Sequence, residues 1–390
     1  MDVKHSGANQ TMNQNDRHQV RIEIINNSDS FIGERCYLTG SFNNWVADEH
    51  LIGELPAKGE AFSTIIRDVR PGDLELKINR GSWDKLQSTR DGKLPLPFSF
   101  QVNHDLEVSL SIDAWRDEFP SSTASPQVKL LDETFYFPHL DCYRKVWIYL
   151  PKSYAEGDRS YPVLYMHDGQ HLFDEATSVG RAGPVEWMVD ETIDAHEGQV
   201  LVVAVDHAPT YAERETEFLM HPKPEVPVVK GEAYLKDIVS VLKPYVDKHY
   251  RTKSDRDHTA MVGSSIGGLL SLYAALSYPE TFGTLGIFSP SIWMDRTALY
   301  QISQERLERS KAAFGGMDFY LYVGGREKRM DSRGKRGNMS RDLQEYADFL
   351  KEHATIAMEL DIDPHGKHGA QAWQQAFSRF YLFWQEKINN

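Results

Sequence analysis

From about residue 160 onward, short apolar runs alternate with segments of helical period, and this alternation limits the fold more than any other feature of the chain. The runs Pro162–Met166, Val200–Val205, Thr259–Val262, Leu285–Phe288 and Phe319–Val323 are mostly apolar, as in strands buried on both faces. Among them lie Val185–His196, Tyr234–Tyr250, Ile266–Ser277, Arg341–Glu352 and Trp373–Lys387, with apolar residues at helical spacing. Two more strands, near Lys129–Phe137 and Tyr143–Leu150, lead into the series. Strand–helix alternation of this kind predicts an α/β domain: a doubly wound, mostly parallel sheet with helices on both faces.

The chain ahead of it has a different period. From Val20 to Trp115 short alternating runs such as Arg21-Ile22-Glu23-Ile24 and Leu74-Glu75-Leu76-Lys77-Ile78 are separated by turn signals such as Pro71-Gly72-Asp73. Short strands at regular spacing predict an all-β sandwich over 19–118. Residues 1–18, polar and mixed in charge, are expected to be a disordered tail. Residues 119–127 hold two prolines and four hydroxyl side chains and read as a linker to the α/β domain at 128–390. A length of 390 residues suits two domains.

Composition narrows the partners. The net charge of −14 argues against nucleic acid, which requires a basic surface. Two cysteines, Cys36 and Cys142, on opposite sides of the linker, give neither a disulfide framework nor a cysteine metal site. No apolar stretch reaches the ~18 residues of a membrane span. The first residues lack an apolar leader segment, so the expected location is cytoplasmic. No cofactor or metal is implied, and oligomeric state is not legible.

Gly263-Ser264-Ser265-Ile266-Gly267 fits G-x-S-x-G. The pattern is common by chance, but here a buried strand precedes it and an apolar helix follows, which is the context of a nucleophile elbow. Ser265 would stand above the sheet at a helix N-terminus, where the dipole favours an oxyanion. The bland alternative is a glycine-rich strand–helix turn.

In a serine hydrolase of this architecture the acid and then the histidine follow the nucleophile in the chain. His365-Gly366-Lys367-His368-Gly369 lies between a strand-like run, Ile356–Ile362, and the last amphipathic helix. His368 is the candidate base, with His365 second; His353 sits in a helical pattern. The acid should follow the strand Phe319–Val323, which leaves Glu327 or Asp331. An oxyanion hole needs two backbone N–H groups: Ile266 is one, and Gln170 or Gly169, in His167-Asp168-Gly169-Gln170-His171, is the other. Residues 207–230 carry four prolines after a strand end, where a lid or substrate loop would sit. Trp293, Asp168 and Arg214 are the candidates for substrate contact.

Several of these segments resemble one family. Met166-His167-Asp168-Gly169-Gln170-His171-Leu172-Phe173-Asp174, Gly263-Ser264-Ser265-Ile266-Gly267-Gly268, Ser289-Pro290-Ser291-Ile292-Trp293 and Gly366-Lys367-His368 with Trp373 are similar to motifs of the putative-esterase family. That family includes enterochelin (siderophore), feruloyl and acetylxylan esterases, esterase D and the mycolyltransferases. The resemblance covers roughly residues 127–390. It implies an α/β-hydrolase fold and a triad of Ser265, His368 and Glu327, with Asp331 still open as the acid.

The N-terminal segment Leu38-Thr39-Gly40-Ser41-Phe42-Asn43-Asn44-Trp45 resembles the signature of starch- and glycogen-binding, immunoglobulin-like sandwich modules. Trp45, Lys77 and Trp83 fall where such modules contact sugars; alternatively the two indoles are core residues. Between Arg326 and Arg341, seven basic residues face only Glu327 and Asp331, which would draw an anionic substrate toward the site. The expected activity is a serine carboxylic-ester hydrolase of the enterochelin-esterase branch, with a small-molecule ester as substrate. A feruloyl or acetyl esterase acting on glycans, or a glycan-binding protein without catalysis, are the alternatives.

Overall fold

The computed structural model describes residues 17–178, 185–309, 311–330 and 336–389. They fall into two compact units, one of 17–123 with 185, the other of 124–178 and 186–389. The division lies inside the segment that reads as a linker. Of the proposed tail, residues 1–16 lie outside the described residues, and His18 opens the first strand.

The first unit is all-β. A three-stranded sheet places His18–Asn26 between Ala61–Val69, antiparallel to it, and Leu106–Ile112, parallel to it. A four-stranded sheet runs in the order His50–Glu54, Arg35–Gly40, Gly72–Asn79, Phe98–Val102. Period-two alternation puts Val20, Ile22 and Ile24 of the first sheet in one cluster with Leu38, Leu74, Leu76 and Ile78 of the second. The unit is rich in short strands, as the alternating runs predicted, and both sheets contribute to that cluster.

The second unit has one eight-stranded sheet. Its strands are β1 (Val128–Phe137), β2 (Cys142–Tyr149), β3 (Val163–His167), β4 (Leu201–Val205), β5 (Thr259–Ser264), β6 (Thr284–Phe288), β7 (Asp318–Gly324) and β8 (Ala357–Asp363). They lie in the order β1-β2-β4-β3-β5-β6-β7-β8. β2 is antiparallel to both neighbours, and every later pairing is parallel. This is an α/β-hydrolase-like fold.

The buried runs divide between two faces because successive side chains point oppositely. Val163, Tyr165, Leu201, Val203 and Val205 join one core with the helices Ile266–Ser277 and Met339–His353. Leu164, Met166, Val202 and Ala204 join the other with Ala370–Asn389. No helix of the described residues is long and apolar enough to cross a membrane.

Two segments differ from their reading. The helical pattern at 234–250 is a helix from Gly231 to His249 interrupted by one π turn, Ile238–Leu242. The proline-rich stretch 207–230, read as a lid or substrate loop, carries a helix, Tyr211–Phe218, started by a Thr210–Glu213 capping box.

Candidate active site

Parallel strands all end on one edge of the sheet, so the loops after β3, β4, β5, β6, β7 and β8 share one rim. Ser265 stands on that rim between β5 and the helix Ile266–Ser277, with φ 57° and ψ −118°. A non-glycine residue at positive φ costs energy, and such strain is typical of a nucleophile elbow. The turn tolerates no side chain beneath it: a Cβ on Gly263 would lie 2.4 Å from Gly267 O and 2.7 Å from His167 Cδ2.

His368, between β8 and the last helix, brings Nε2 to 3.1 Å from Ser265 Oγ. Its Nδ1 is 2.7 Å from Glu327 Oε2, on the turn after β7. The carboxylate is buried and fixed from both sides. Glu327 Oε1 accepts from Ser289 Oγ at 2.6 Å and from the Gly324 N–H at 2.8 Å. Ser289 Oγ in turn accepts from Trp373 Nε1 at 3.0 Å, and the Trp373 ring meets His368 edge-on at 5.0 Å. Backbone bonds from Gly325 N to Asp363 O and from Arg326 N to Gly366 O tie the acid's turn to the histidine's loop.

The structure thus brings Ser265, His368 and Glu327 into one chain of hydrogen bonds. His365 is elsewhere, accepting from Arg326 Nη2 at 3.1 Å, and His353 bonds its own helix at Phe349 O. Asp331, the other candidate acid, lies outside the described residues.

For the oxyanion hole, Ile266 is the first residue of its helix, so its N–H has no intrahelical acceptor. Gln170 lies in the helical turn Gly169–His171, which begins after Asp168 in left-handed conformation, φ 61°. The Gln170 N–H, in the first turn of its own short helix, likewise has no intrahelical acceptor. The two turns abut: a Cβ on Gly267 would sit 3.4 Å from Asp168 Oδ2 and 3.6 Å from His167 Cβ. The Gln170 side chain is held by the His207 N–H at 3.2 Å.

Asp168 and Arg214 require a correction. As candidates for substrate contact they would have to face the site, but each is buried against the other. Arg214 donates from Nε to Asp168 Oδ1 at 2.6 Å and from Nη2 to Oδ2 at 2.7 Å, with Ser264 O 3.5 Å away. Burial alone would raise the Asp168 carboxyl, yet the guanidinium outweighs it and holds the group well below the usual carboxylate range. The pair ties the end of β3 to the helix Tyr211–Phe218. Burial also lowers the two imidazoles beside this loop, His171 to about 4 and His207 in the same direction.

Trp293 is half-buried in the short turn Ile292–Met294, with the Arg329 guanidinium 6.0 Å over its ring. The basic segment carries less free charge than the sequence count suggests. Arg329 pairs with Asp342 at 2.5 Å and Arg341 with Glu345 at 2.8 Å, both acids lying just beyond the counted window. Residues 331–335 lie outside the described residues.

In the first unit, Trp45 and Trp83 are neighbours with ring centroids 6.3 Å apart, and both are partly exposed, so neither is a core residue. Lys77 must be corrected. It is only 2% exposed, in the buried half of the strand Gly72–Asn79, and offers no ammonium group to a sugar at the surface.

Sequence reasoning gave no role to Ser289 or Ser291, although both sit in a quoted motif; the signal was a Ser-Pro-Ser segment directly after a buried strand. Tyr211 has an exposed ring one turn before Arg214 on the same helix. Among the described residues the carboxylates of Glu186, Asp190 and Glu191 come within 4.8 Å of one another, and Asp190 Oδ2 already accepts from Ser125 N at 2.7 Å.

The geometry agrees with what the chain is similar to. The model of a family described as "Putative esterase" matches residues 138–383. An uncharacterized Bacillus subtilis protein, YbbA, is 24% identical over 247 residues, 61% of this chain and 92% of that protein. An iron(III) salmochelin esterase of Escherichia coli is 39% identical over 61 residues, 15% of each chain. Among solved structures, the enterobactin esterase FES from Shigella flexneri, determined in the presence of enterobactin, superposes with a TM-score of 0.53 at 17% identity, over 91% of this chain and 89% of that one. At that identity the likeness speaks for the fold alone.

Proposed function

We propose, from the premise that the chain belongs to the putative esterase family and is a carboxylic ester hydrolase, that it works through an acyl-enzyme on Ser265. The observation that carries this reading is the unbroken chain from Glu327 through His368 to Ser265, at 2.7 and 3.1 Å. Glu327 accepts a hydrogen bond from Nδ1–H and so leaves the Nε2 lone pair facing Ser265. As Ser265 Oγ attacks the ester carbonyl its proton passes to Nε2, and the buried carboxylate stabilises the imidazolium. The carbonyl oxygen takes the electron pair and is met by the N–H groups of Ile266 and Gln170. Collapse expels the alcohol, which takes the proton from Nε2. Water then repeats the sequence on the acyl-enzyme and releases the acid.

Within this activity we favour a small-molecule ester of the siderophore-lactone class. The support is the company of sequence matches: the salmochelin esterase and a siderophore enterobactin esterase of Emericella nidulans, 32% identical over 78 residues. Two of the seven basic residues of the segment, Arg329 and Arg341, are already paired with acids. Trp293 and Tyr211 are the aromatic groups we assign to the substrate pocket. Purified protein offered ferric and iron-free catecholate lactones beside feruloylated and acetylated sugars tests the branch. Faster turnover of the lactones supports it, and preference for a sugar ester overturns it.

One observation favours the second reading, a glycan ester. The tilted, partly exposed Trp45–Trp83 pair offers two indole faces of the kind that stack on sugar rings. Retention of wild type but not Trp45→Ala or Trp83→Ala on immobilised glycogen or xylan supports that role, and no retention of wild type removes it.

A further inference from the structure

One hydroxyl outside the triad touches the reacting oxygen. Ser291 Oγ lies 3.2 Å from Ser265 Oγ, in a side chain that is 4% exposed. Its position is over-determined. The Ser291 N–H donates to Ser265 O at 2.9 Å, the Ser265 N–H to Phe288 O at 2.9 Å, and the Ser289 N–H to Tyr322 O at 2.7 Å. Pro290 stiffens the segment between the two serines.

The direction of the Oγ–Oγ bond follows from counting hydrogens. Nδ1 of the neutral His368 keeps its proton and donates a hydrogen bond to Glu327, so Nε2 can only accept. Ser265 has a single hydroxyl hydrogen, and it goes to Nε2. The hydrogen between the two serines therefore belongs to Ser291, and Ser265 Oγ accepts it.

A packing role does not account for this placement. Ser291 occupies the N-cap position of the turn Ile292–Met294, where a serine hydroxyl ordinarily accepts from the turn's own N–H groups. It makes no such bond. Among the described residues its hydroxyl bonds to Ser265 Oγ.

We propose that Ser291 is a further catalytic residue, whose hydroxyl donates to Ser265 Oγ and stabilises negative charge on that oxygen in both halves of the reaction. The inference rests on the reading of Ser265 as nucleophile. In acylation the Ser265 proton moves to His368 Nε2 while the Oγ–carbon bond forms, so Oγ carries alkoxide character in transit. In deacylation the water proton moves to Nε2, the carbon–Oγ bond breaks with its electron pair on Oγ, and the proton returns from Nε2 to Oγ. The Ser291 proton stays on Ser291 throughout; its bond shortens when Oγ is charged, because hydrogen bonds to charged acceptors are stronger.

The test compares wild type, Ser291→Ala, Ser291→Cys and Ser265→Ala on p-nitrophenyl butyrate, well below their melting midpoints, with rates expressed per folded molecule from circular dichroism. Ser291→Ala is expected to lose about tenfold in kcat with KM within about twofold. It is also expected to slow both fluorophosphonate labelling of Ser265 and breakdown of the butyryl-enzyme. Ser291→Cys, a weaker donor of nearly the same volume, should fall between. Ser291→Ala at the wild-type rate beside an inert Ser265→Ala overturns this proposal alone, as does a loss confined to KM. An active Ser265→Ala overturns the reading beneath it.

Discussion

Arg214 grips Asp168 through two parallel bonds, Nε to Oδ1 at 2.6 Å and Nη2 to Oδ2 at 2.7 Å, and both side chains are buried. The loop so held is the one that carries Gln170. Removing one partner leaves a buried, unmatched charge, which typically costs about 3–5 kcal/mol. Arg214→Ala should lower the unfolding free energy by that order and reduce kcat through a displaced Gly169–Gln170 turn. Arg214→Lys should restore only part, since an ammonium cannot make the paired bonds. Urea unfolding and steady-state kinetics check both; a variant with wild-type stability and rate contradicts the assignment.

The same pair sets a pH dependence. The Asp168 carboxyl is depressed in the folded state, so its contribution is complete above the unfolded value near 4 and is lost as pH falls through the lower folded value. Between pH 7 and 5 wild type and Asp168→Asn should therefore differ in stability by a constant amount. The gap should close only below about pH 4. Melting curves across that range show it, and a gap that closes by pH 6 would contradict it.

Asp206 has the opposite sign. Burial pushes its carboxyl up to about 6, against the pull of the Trp147 Nε1 bond at 2.8 Å. A raised acid binds more protons folded than unfolded between about pH 4 and 6, so stability falls as pH rises through that window. Asp206→Asn keeps an acceptor for Trp147 and removes the charge. It should raise the unfolding free energy at pH 7.5 by about 3 kcal/mol and change it little near pH 4. Equal melting midpoints for the two proteins at pH 7.5 would sink this.

Glu327 depends on the donors around it. Glu327→Gln should lower kcat by about a thousandfold or more, because the amide no longer holds the imidazole in its productive tautomer or balances its charge. Ser289→Ala removes one bond to the carboxylate and the acceptor of Trp373 Nε1. The expected loss there is smaller, about tenfold in kcat with KM unchanged. Steady-state kinetics rank the two, and Ser289→Ala losing more than Glu327→Gln would reverse the hierarchy.

The sheet was legible because buried parallel strands are apolar on both faces and their crossovers have helical period, so Val163–His167 and Leu201–Val205 announce themselves. Ser265 and His368 were legible because glycines and chain order constrain an elbow. Lys77, Asp168 and Arg214 were misjudged for one reason. A polar side chain reads as exposed in a sequence, and only packing reveals that Lys77 turns inward or that an ion pair forms across 46 residues. Ser291 was illegible because its contact with Ser265 joins residues 26 positions apart through the sheet. The charge of the basic segment was overcounted because Asp342 and Glu345 lie on the following helix.

The central claim is that Ser265 forms the acyl-enzyme. Treatment with a fluorophosphonate, followed by intact mass and peptide mapping, tests it most directly. The account predicts one adduct per chain, on Ser265, with hydrolysis of p-nitrophenyl butyrate lost in proportion to labelling and no adduct on Ser265→Ala. An adduct on another residue, or full activity after stoichiometric labelling of Ser265, would contradict it.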